Sequence, residues 1–340
     1  MNNTGKEQNQ FSLTSFLDQI VTYIISFYLP VVLWCGIIGN ILIFISMTSK
    51  RVNIRKSAKI YYITIAIGDL GSLIFQHFRF FISTGLWFLT SGRFHLTTYS
   101  PVLCKIWLAF YYCLFSVSMY TVIAFSIERN LALYFPLHHR NLAKRKLAIF
   151  LLIFCVGIPC GFIALSCIGG VGLFYVQKTQ LPICGGDPGS SFYVIYSFSL
   201  TVFVFELPEV ITTLLVIALL YKIRQIKLAR AQLRQQEFSL TSKDLKSIMA
   251  LLSVALINLI IFLPTSILYA ITSILRYMKA SPIISEMWIS LFQVALFFGA
   301  VTHSLNFFVY YIQIPSFKDK FACYSKPINK STTSEKSVLS

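Results

Sequence analysis

Charged residues are scarce in this sequence. Asp, Glu, Lys and Arg together make up 12% of the 340 residues, and the 29 basic residues outnumber the 12 acidic ones. A typical soluble domain carries about 25% charged residues. This deficit, with 56% hydrophobic residues and a mean hydropathy of +0.72, indicates that much of the chain is solvated by lipid rather than by water.

The chemical groups of an enzyme active site are missing as well. We find no nucleophile–base set, no glycine-rich phosphate loop and no Cys/His cluster with metal-ligand spacing, so we expect no catalysis, no metal centre and no cofactor. The net charge of +17 comes from short basic clusters between apolar runs, without the basic and polar face that a nucleic-acid groove binder needs. The absence of internal repeats disfavours a transporter built from duplicated halves.

Long apolar runs are what the sequence has in abundance. A membrane-spanning helix needs about 20 mostly apolar residues, and seven runs satisfy that requirement. We therefore predict an all-α membrane protein, a seven-transmembrane helix bundle whose termini lie on opposite sides of the membrane. The predicted spans are Val21–Met47, Ile60–Phe78, Ile106–Ile127, Leu147–Cys167, Phe192–Tyr221, Leu245–Ile274 and Ile283–Ile312.

The basic residues indicate how the bundle is oriented. With the N-terminus outside, 22 of the 29 Lys and Arg residues fall in the inner loops, at the inner end of the third span and in the tail. Because Lys and Arg favour the cytoplasmic side, we expect a multi-pass protein of the plasma membrane with an extracellular N-terminus. The first twenty residues are polar and lack a signal-peptide pattern, so the first span is expected to act as an uncleaved anchor.

A short amphipathic eighth helix is predicted after the seventh span. Pro315 breaks the helix, and Phe317 and Phe321 then lie four residues apart on one face, beside lysines. Cys323 follows where an acyl chain would anchor it, with an unmodified thiol as the alternative. The predicted organisation is an extracellular tail over residues 1–19, the bundle with its eighth helix over 20–323, and a disordered cytoplasmic tail over 324–340.

Short motifs inside the spans resemble those of rhodopsin-like G-protein-coupled receptors. The third span ends in Glu128-Arg129-Asn130, which is similar to the family's Glu/Asp-Arg-Tyr motif, and Pro136-Leu137 follows as in the family. Cys104 precedes Arg129 by 25 residues, the spacing of the family's disulfide cysteine. The resemblance covers about residues 20–323. Matching motifs elsewhere are Gly39-Asn40, Ala66-Ile67-Gly68-Asp69-Leu70, Pro208, Phe262-Leu263-Pro264 and Asn306-Phe307-Phe308-Val309-Tyr310.

The resemblance implies that the chain converts an extracellular ligand into activation of a heterotrimeric G protein. The sequence departs from the family's pattern where Asn130 replaces Tyr, Phe262 replaces the Trp called the toggle, and Phe307 replaces the Pro that bends the seventh helix. The fourth span lacks the usual Trp. Two alternatives therefore stay open: a receptor-like protein that does not couple, and a membrane transporter or channel.

The resemblance also assigns a switch to the inner half of the bundle. Arg129 is always charged and cannot rest in lipid unpaired. Glu128 can pair with it locally, and Asp244 is expected to hold it across the bundle in the resting state; a solvated charge at a helix start is the alternative for Asp244. Breaking that pair would let the sixth helix swing out and open a cleft for a G-protein helix. The remaining members of the predicted switch are Phe262, Pro264, Asn306 and Tyr310.

Polar side chains in the middle of the spans resemble the family's sodium and water pocket. Ionisable groups inside a bilayer cost on the order of a few kcal/mol each, so their presence needs a reason. Asp69, Ser118, His303 and Asn306 form the predicted pocket, since a carboxylate with oxygen ligands suits a hard cation such as Na⁺. His303 is unusual there and could pair with Asp69 in place of sodium. A structural cluster without an ion is the further alternative.

Two acidic residues in the fifth span form a second polar feature. Glu206 and Glu209 lie three residues apart and flank Pro208. The family register places Glu209 near Asn258 of the sixth helix, so we predict a buried Glu209–Asn258 hydrogen bond with the carboxyl group protonated by desolvation. A ligand contact is the alternative, and it suits Glu206 slightly better.

The outer ends of the spans carry an aromatic and basic rim. Tyr111 occupies the position where amine receptors carry an Asp, which argues against a monoamine ligand, and the seventh span has no Lys for a retinal Schiff base. The rim suits a peptide, in particular a neuropeptide, or an anionic ligand, and ordinary interfacial aromatic residues are the alternative. Its members are His77, Arg79, Trp87, Tyr111, Tyr269 and Gln293.

The remaining predictions concern the outer surface and the lipids. The resemblance implies a disulfide bond between Cys104 and Cys184, which the oxidising exterior permits, with Cys167 as the rival partner. Asn2 heads Asn2-Asn3-Thr4, a glycosylation acceptor on the extracellular side. The basic inner face is expected to contact anionic membrane lipids.

Overall fold

Eight helices and one short hairpin make up the part of the protein that the structure, a computed structural model, describes. That part comprises residues 15–50, 52–82, 100–136, 144–170, 172–175, 182–185, 191–233, 242–278 and 282–325. We call the end of the bundle that carries Cys104 the outer end and the end that carries Arg129 the inner end. The helices are α1 (Ser15–Thr48), α2 (Lys56–Phe80), α3 (Pro101–Tyr134), α4 (Lys144–Gly170), α5 (Ser191–Leu233), α6 (Ser242–Tyr277), α7 (Pro282–Gln313) and α8 (Pro315–Ser325).

The seven predicted spans are confirmed, and α1 to α7 are long and apolar enough to cross a membrane. Each helix extends beyond its apolar run, since hydropathy marks only the segment in lipid and backbone bonding continues into polar flanks. The start of α3 shows what sets such an end. The Ser100 side chain accepts a hydrogen bond from the Leu103 N–H at 3.0 Å, and Pro101 occupies the first helical position, where its missing N–H costs nothing.

Wide turns with i+5 hydrogen bonds interrupt α1, α2, α4 and α5. In three of these helices the turn ends two residues before a proline, namely Pro30, Pro159 or Pro208. Proline has no N–H, and its ring collides with the carbonyl four residues earlier, so widening the preceding turn relieves the clash. The wide turn of α2, Leu73–His77, has no proline after it, and nothing else in the structure explains it.

Two of these wide turns present backbone carbonyls that side chains of α3 bind. In α5 the N–H of Leu207 bonds to the carbonyl of Val202, and the next N–H in the i+5 pattern is missing at Pro208. The carbonyl of Phe203 therefore lacks a helical partner, and the hydroxyl of Tyr120 donates to it at 2.7 Å. The indole of Trp107 donates similarly to the carbonyl of Phe75 in the wide turn of α2, at 2.6 Å. These bonds fix α3 against α5 and α2.

A glycine allows a close approach between α2 and α3. A Cβ atom at Gly68 would lie 2.6 Å from the backbone nitrogen of Ser118 and 2.9 Å from the carbonyl oxygen of Leu114. Real Cβ contacts are essentially never under 3.0 Å, so only glycine fits here. The close approach brings Asp69, the next residue, within hydrogen-bond distance of Ser118.

The apolar core has an inner and an outer part. The inner part lies around Tyr61, Phe125 and Tyr310, all fully buried, and it includes Phe317 of α8. The outer part centres on Phe115, whose ring centroid lies 5.1 Å from that of Phe205 and 5.3 Å from that of Phe262. The predicted eighth helix is therefore present and packs against the bundle through Phe317.

A two-stranded hairpin lies at the outer end, where the all-α prediction had only a loop. Strands β1 (Gly172–Tyr175) and β2 (Pro182–Gly185) pair antiparallel, with Leu173 opposite Cys184. Four-residue strands flanked by glycine give too little alternation of polar and apolar residues to be recognised in a sequence.

The disulfide bond predicted for this end is present and holds β2 over α3. Cys104 and Cys184 are bonded, with their Cα atoms 5.5 Å apart. The rival pairing with Cys167 is wrong, since Cys167 is a buried free thiol whose sulfur lies 3.3 Å from the hydroxyl oxygen of Tyr196.

Candidate functional site

A buried carboxylate joins three helices in the middle of the bundle. Asp69 is fully buried, and its Oδ1 atom accepts a hydrogen bond from the hydroxyl of Ser118 at 2.6 Å and lies 2.7 Å from Nδ1 of His303. Its Oδ2 atom accepts a hydrogen bond from the side-chain amide of Asn306 at 2.5 Å. The structure thus brings together the four residues of the predicted pocket, on α2, α3 and α7.

Helix α1 is tied to the same network through the backbone of α7. The Asn40 side-chain amide donates to the carbonyl of Gly36 at 2.9 Å and to the carbonyl of His303 at 3.0 Å. The hydroxyl of Ser304 donates to the carbonyl of Val32 at 3.0 Å. A displacement of α7 along its axis therefore has to break bonds to α1 and α2 together.

The donor set around Asp69 does not fit a sodium ion. Coordination of a hard cation needs several oxygen lone pairs directed at one point. Here both oxygens of Asp69 are engaged by hydrogen bonds or a close imidazole, and the Asn306 amide presents its nitrogen to the carboxylate. The imidazole of His303 lies against Oδ1, where a cation would need to bind.

An aromatic cluster links this network to α6. The ring of His303 lies 5.5 Å from the ring of Phe115 and 5.7 Å from the ring of Phe262, centroid to centroid. Phe262 is buried and lies two residues before Pro264, the proline inside α6. Phe262, which stands in place of the family's Trp, thus contacts the polar network. A change in its rotamer would alter the contacts between α6 and α7.

The inner end of α3 carries a buried charge pair. Glu128 and Arg129 are 0% and 1% exposed, and their nearest charged atoms lie 3.9 Å apart. The hydroxyl of Ser57 donates to Glu128 at 2.9 Å, and the Arg129 guanidinium carbon lies 4.7 Å above the Phe125 ring. Within the described part of the chain, Nε and Nη2 of Arg129 have no hydrogen-bond acceptor. The charge is therefore held by a long ion pair and a ring face.

Several contacts that the sequence did not predict close the inner end. The side chain of Gln313 on α7 donates to the hydroxyl of Ser253 on α6 at 2.5 Å. Asn130, which departs from the motif's Tyr, donates to the carbonyl of Leu215 on α5 at 3.1 Å. Tyr310 is fully buried, with its ring 4.6 Å from that of Tyr62. With these contacts in place the Arg129 side chain is 1% exposed.

The other predicted partner of Arg129 belongs to the start of α6. Asp244 lies in the first turn of α6, but its side chain is outside the described residues. The predicted Arg129–Asp244 pair therefore stays a prediction.

The predicted bond between Glu209 and Asn258 is wrong in this structure. Glu209 is buried, and its Oε2 atom accepts a hydrogen bond from the hydroxyl of Ser266 on α6 at 3.3 Å, while Oε1 has no partner. Glu209 and Asn258 do line the same small cavity between α3, α5 and α6. The family register located Glu209 correctly against α6, but Ser266 lies two turns nearer the outer end than Asn258 and takes the hydrogen bond.

Part of the predicted ligand rim lines a second cavity near the outer end. His77 and Gln293 border it together with Ile25 of α1 and Phe297 of α7. Arg79 lies near the same end of α2, with its guanidinium carbon 5.3 Å above the Phe80 ring and its Nε without an acceptor. Tyr111 is buried in the outer core beside Phe115. Trp87 and the side chain of Tyr269 lie outside the described residues.

Both predicted modification sites lie at the ends of the chain. Asn2 lies outside the described residues, and Cys323 lies in α8 with its side chain outside them.

Comparison with known proteins decides the family. The family model described as "7 transmembrane receptor (rhodopsin family)" matches residues 39–310, which is most of the chain. The chain belongs to this family. The receptor is similar to the thyrotropin-releasing hormone receptor of Gallus gallus, with 27% identity over 224 residues that cover 63% of the receptor and 53% of that relative.

A second relative has a similar degree of likeness. It is the proteinase-activated receptor 1 of Xenopus laevis, with 25% identity over 284 residues that cover 78% of the receptor and 59% of that protein. The receptor thus spans a little over half the length of these relatives. The family is one of receptors rather than enzymes, in line with the absence of catalytic motifs from the sequence.

Proposed function

We propose that this receptor activates a heterotrimeric G protein when an extracellular ligand, a neuropeptide, binds its outer half. The observation that carries the proposal is the Glu128–Arg129 pair, a fully buried charge at the inner end that is held by a 3.9 Å ion pair and the face of Phe125. Burying a charge without full hydrogen bonding is energetically costly, and in the described part of the chain Nε and Nη2 of Arg129 have no acceptor. A guanidinium held in this way can bind a hydrogen-bond acceptor of a G protein once the helices around it separate.

Two independent features support an extracellular outer end in the plasma membrane. The Cys104–Cys184 bond lies at the outer end, and disulfide bonds persist in oxidising surroundings. The clusters of Lys and Arg between the spans lie at the opposite end, as they do on the cytoplasmic side of membrane proteins. The two rules rest on different chemistry and give the same orientation.

The proposed switch is an equilibrium between a closed and an open inner end. In the closed state the Gln313–Ser253 bond joins α6 to α7, and the buried guanidinium of Arg129 lies over the ring of Phe125. Outward movement of α6 breaks that bond, and it also breaks the predicted Arg129–Asp244 pair. Arg129 then becomes accessible to a G-protein helix. The ligand needs only to bind the open state more tightly than the closed one.

The ligand class is supported by the charge balance of the outer half. The guanidinium of Arg79 is partly buried and has no carboxylate partner in the described part of the chain. A carboxylate or other anionic group of a peptide would satisfy it with charge-assisted hydrogen bonds. By name, one similar protein is a hormone receptor and another a proteinase-activated receptor, and peptide recognition agrees with the first.

We further propose that His303 takes the place of a sodium ion at Asp69. A His303–Asp69 contact of 2.7 Å would be charge-assisted whenever the imidazole is protonated. The cytoplasmic face is proposed to bind anionic lipids through its Lys and Arg residues, aided by an acyl chain on Cys323, and Asn2 is the proposed glycan acceptor.

The test is nucleotide exchange in membranes that contain the receptor and a panel of G proteins, with a peptide library applied. Exchange above that of receptor-free membranes for at least one pair of peptide and G protein supports the proposal. Asp244→Ala is expected to raise ligand-free exchange at matched surface expression if Asp244 holds Arg129. No exchange with any G protein, from a receptor present at the cell surface, would favour a receptor-like protein that does not couple.

A further inference from the structure

Two lysines from different helices meet at the inner end of α1. The ammonium group of Lys59 on α2 donates to the carbonyl of Ser49, just past the end of α1, at 2.6 Å. The ammonium group of Lys320 on α8 donates to the carbonyl of Ile45, one helical turn earlier, at 3.2 Å. Four residues of a helix span roughly 6 Å. The two bonds therefore bring two positive charges to neighbouring points on α1.

The positive charge of this lysine pair is not balanced by the protein. Lys59 is partly buried, and in the described part of the chain the charge that acts on it is the repelling charge of Lys320. Asp319 precedes Lys320 in α8, but within the described residues it forms no ion pair with either lysine. Each ammonium group has three N–H donors, of which one is used on a carbonyl. Two like charges held in this way favour the binding of an anion between them.

The surface of α1 next to the lysine pair is apolar and faces lipid. Trp34, Ile38, Ile41 and Ile45 follow one another at spacings of four, three and four residues, so they lie on one face of the helix. These side chains are 42% to 60% exposed. We call them the α1 stripe. It ends at Ile45, the residue whose carbonyl binds Lys320, so positive charge and exposed hydrocarbon surface adjoin each other there.

We propose that Lys59 and Lys320 bind the headgroup phosphate of an anionic phospholipid of the inner leaflet, with an acyl chain of that lipid along the α1 stripe. Ammonium groups form charge-assisted hydrogen bonds with phosphate oxygens, and the cytoplasmic leaflet carries the anionic lipids. A free phosphate ion would neutralise the two lysines but leave the α1 stripe unused. The inference rests on the proposed binding of anionic lipids by the cytoplasmic face and narrows it to one site.

A lipid bound in this way would also connect three helices. Lys59 belongs to α2, Lys320 belongs to α8, and both contact α1. Phe317, one helical turn before Lys320, is fully buried against the bundle. A phosphate bonded to both lysines would therefore hold α8 in its docked position beside α1 and α2.

The test is native mass spectrometry of the purified full-length receptor, titrated with phosphatidic acid or with phosphatidylcholine of the same acyl chains. The first molecule of phosphatidic acid is expected to bind roughly 10- to 30-fold more tightly, because each lysine near a lipid headgroup contributes a factor of about five. Neither a ligand nor a G protein is present, so the result does not depend on whether the receptor couples.

Four variants locate the site. Lys59→Gln and Lys320→Gln should each weaken phosphatidic acid binding about 5-fold and leave phosphatidylcholine binding unchanged. A double variant with arginine at both positions keeps the charges and should keep the preference. Lys318→Gln is the matched control, since Lys318 also lies on α8 but its ammonium group lies 6.0 Å from the ring centre of Tyr311. The control should change the affinity less than about 2-fold.

Four results would overturn the proposal. Equal affinity for the two lipids would refute both this site and the wider preference of the inner face for anionic lipids. A preference that survives replacement of both lysines by glutamine would refute this site alone. Loss of the preference in the double arginine variant would show that charge is not what binds the lipid. Displacement of phosphatidic acid by an equal concentration of inorganic phosphate would mean that the lysines bind a free anion instead.

Discussion

Replacing Gly68 with alanine tests the packing that places Asp69 beside Ser118. The added Cβ would lie 2.6 Å from the backbone nitrogen of Ser118, whereas ordinary contact begins at 3.4 Å. Backbone atoms of a helix cannot rotate away, so α2 and α3 must separate by about 0.8 Å, the difference between those two distances. The Ser118–Asp69 bond of 2.6 Å would then stretch towards about 3.4 Å, near the limit for a hydrogen bond.

The magnitude follows from three terms. Overpacking a close contact costs about 1–3 kcal/mol. Weakening the buried hydrogen bond costs about 0.5–1.5 kcal/mol. Exchanging glycine for alanine in a helix stabilises the folded protein by about 1 kcal/mol. The sum is a destabilisation of about 0.5–3.5 kcal/mol, or roughly 1–5 °C in the unfolding temperature of a protein of this size.

The assay is thermal unfolding of the purified receptor, with Gly161→Ala as the matched control. Gly161 lies in α4, and no atom lies within 4 Å of the Cβ that alanine would add there. The control should therefore be as stable as the native receptor or slightly more stable. Equal unfolding temperatures for Gly68→Ala and Gly161→Ala would refute the reasoning, because the helix-propensity term is common to both.

Two further substitutions test contacts that the sequence did not predict. Ser253→Ala removes the Gln313–Ser253 bond between α6 and α7. Ligand-free nucleotide exchange should then rise by about 2- to 10-fold, because one hydrogen bond no longer stabilises the closed state. Unchanged exchange at matched expression would show that this bond does not hold the closed state. Tyr120→Phe leaves the carbonyl of Phe203, beside Pro208, without a hydrogen-bond donor. The unfolding temperature should fall by an amount equivalent to about 1–3 kcal/mol, the cost of a buried unpaired carbonyl. A variant as stable as the native receptor would mean that lipid or water donates to that carbonyl or surrounds it at no cost.

The sequence was enough to predict the bundle because lipid imposes a simple rule. Apolar runs of spanning length mark each helix, and the order of motifs fixes which helix is which. The cluster of Asp69, Ser118, His303 and Asn306 was predicted from the resemblance to the family's sodium and water pocket, and the cost of isolated polar groups in a membrane agrees with it. The disulfide bond between Cys104 and Cys184 was implied by the same resemblance, in which the spacing from Cys104 to Arg129 is that of the family's disulfide cysteine.

Contacts that depend on local backbone geometry were not predictable. The register of α5 relative to α6 decides whether Glu209 bonds to Ser266 or to Asn258, and a wide turn before Pro208 alters the rotation of α5 ahead of Glu209. The same kind of turn exposes the carbonyls that Tyr120 and Trp107 bind. A pattern of apolar residues does not carry information about such turns, although a proline two residues later accompanies three of those described.

The bond from Asn130 to Leu215 shows a different limit. Asn130 departs from the Tyr of the family motif, and from the sequence alone this departure argues against efficient switching between the closed and open states. In the structure it is a link between α3 and α5, with the amide shared between the carbonyls of Ser126 and Leu215 at 2.9 and 3.1 Å. A substitution within a motif can thus preserve an interhelical contact by another chemical route, which only the geometry reveals.

The central claim is that the inner end of this receptor activates a G protein through Arg129. The most direct measurement is the rate of nucleotide exchange by purified G protein reconstituted with purified receptor, native or Arg129→Gln, at equal receptor concentration. The account predicts that the native receptor accelerates exchange by at least one G protein and that Arg129→Gln removes most of the acceleration while the receptor stays folded. Equal acceleration by the two proteins would contradict the account.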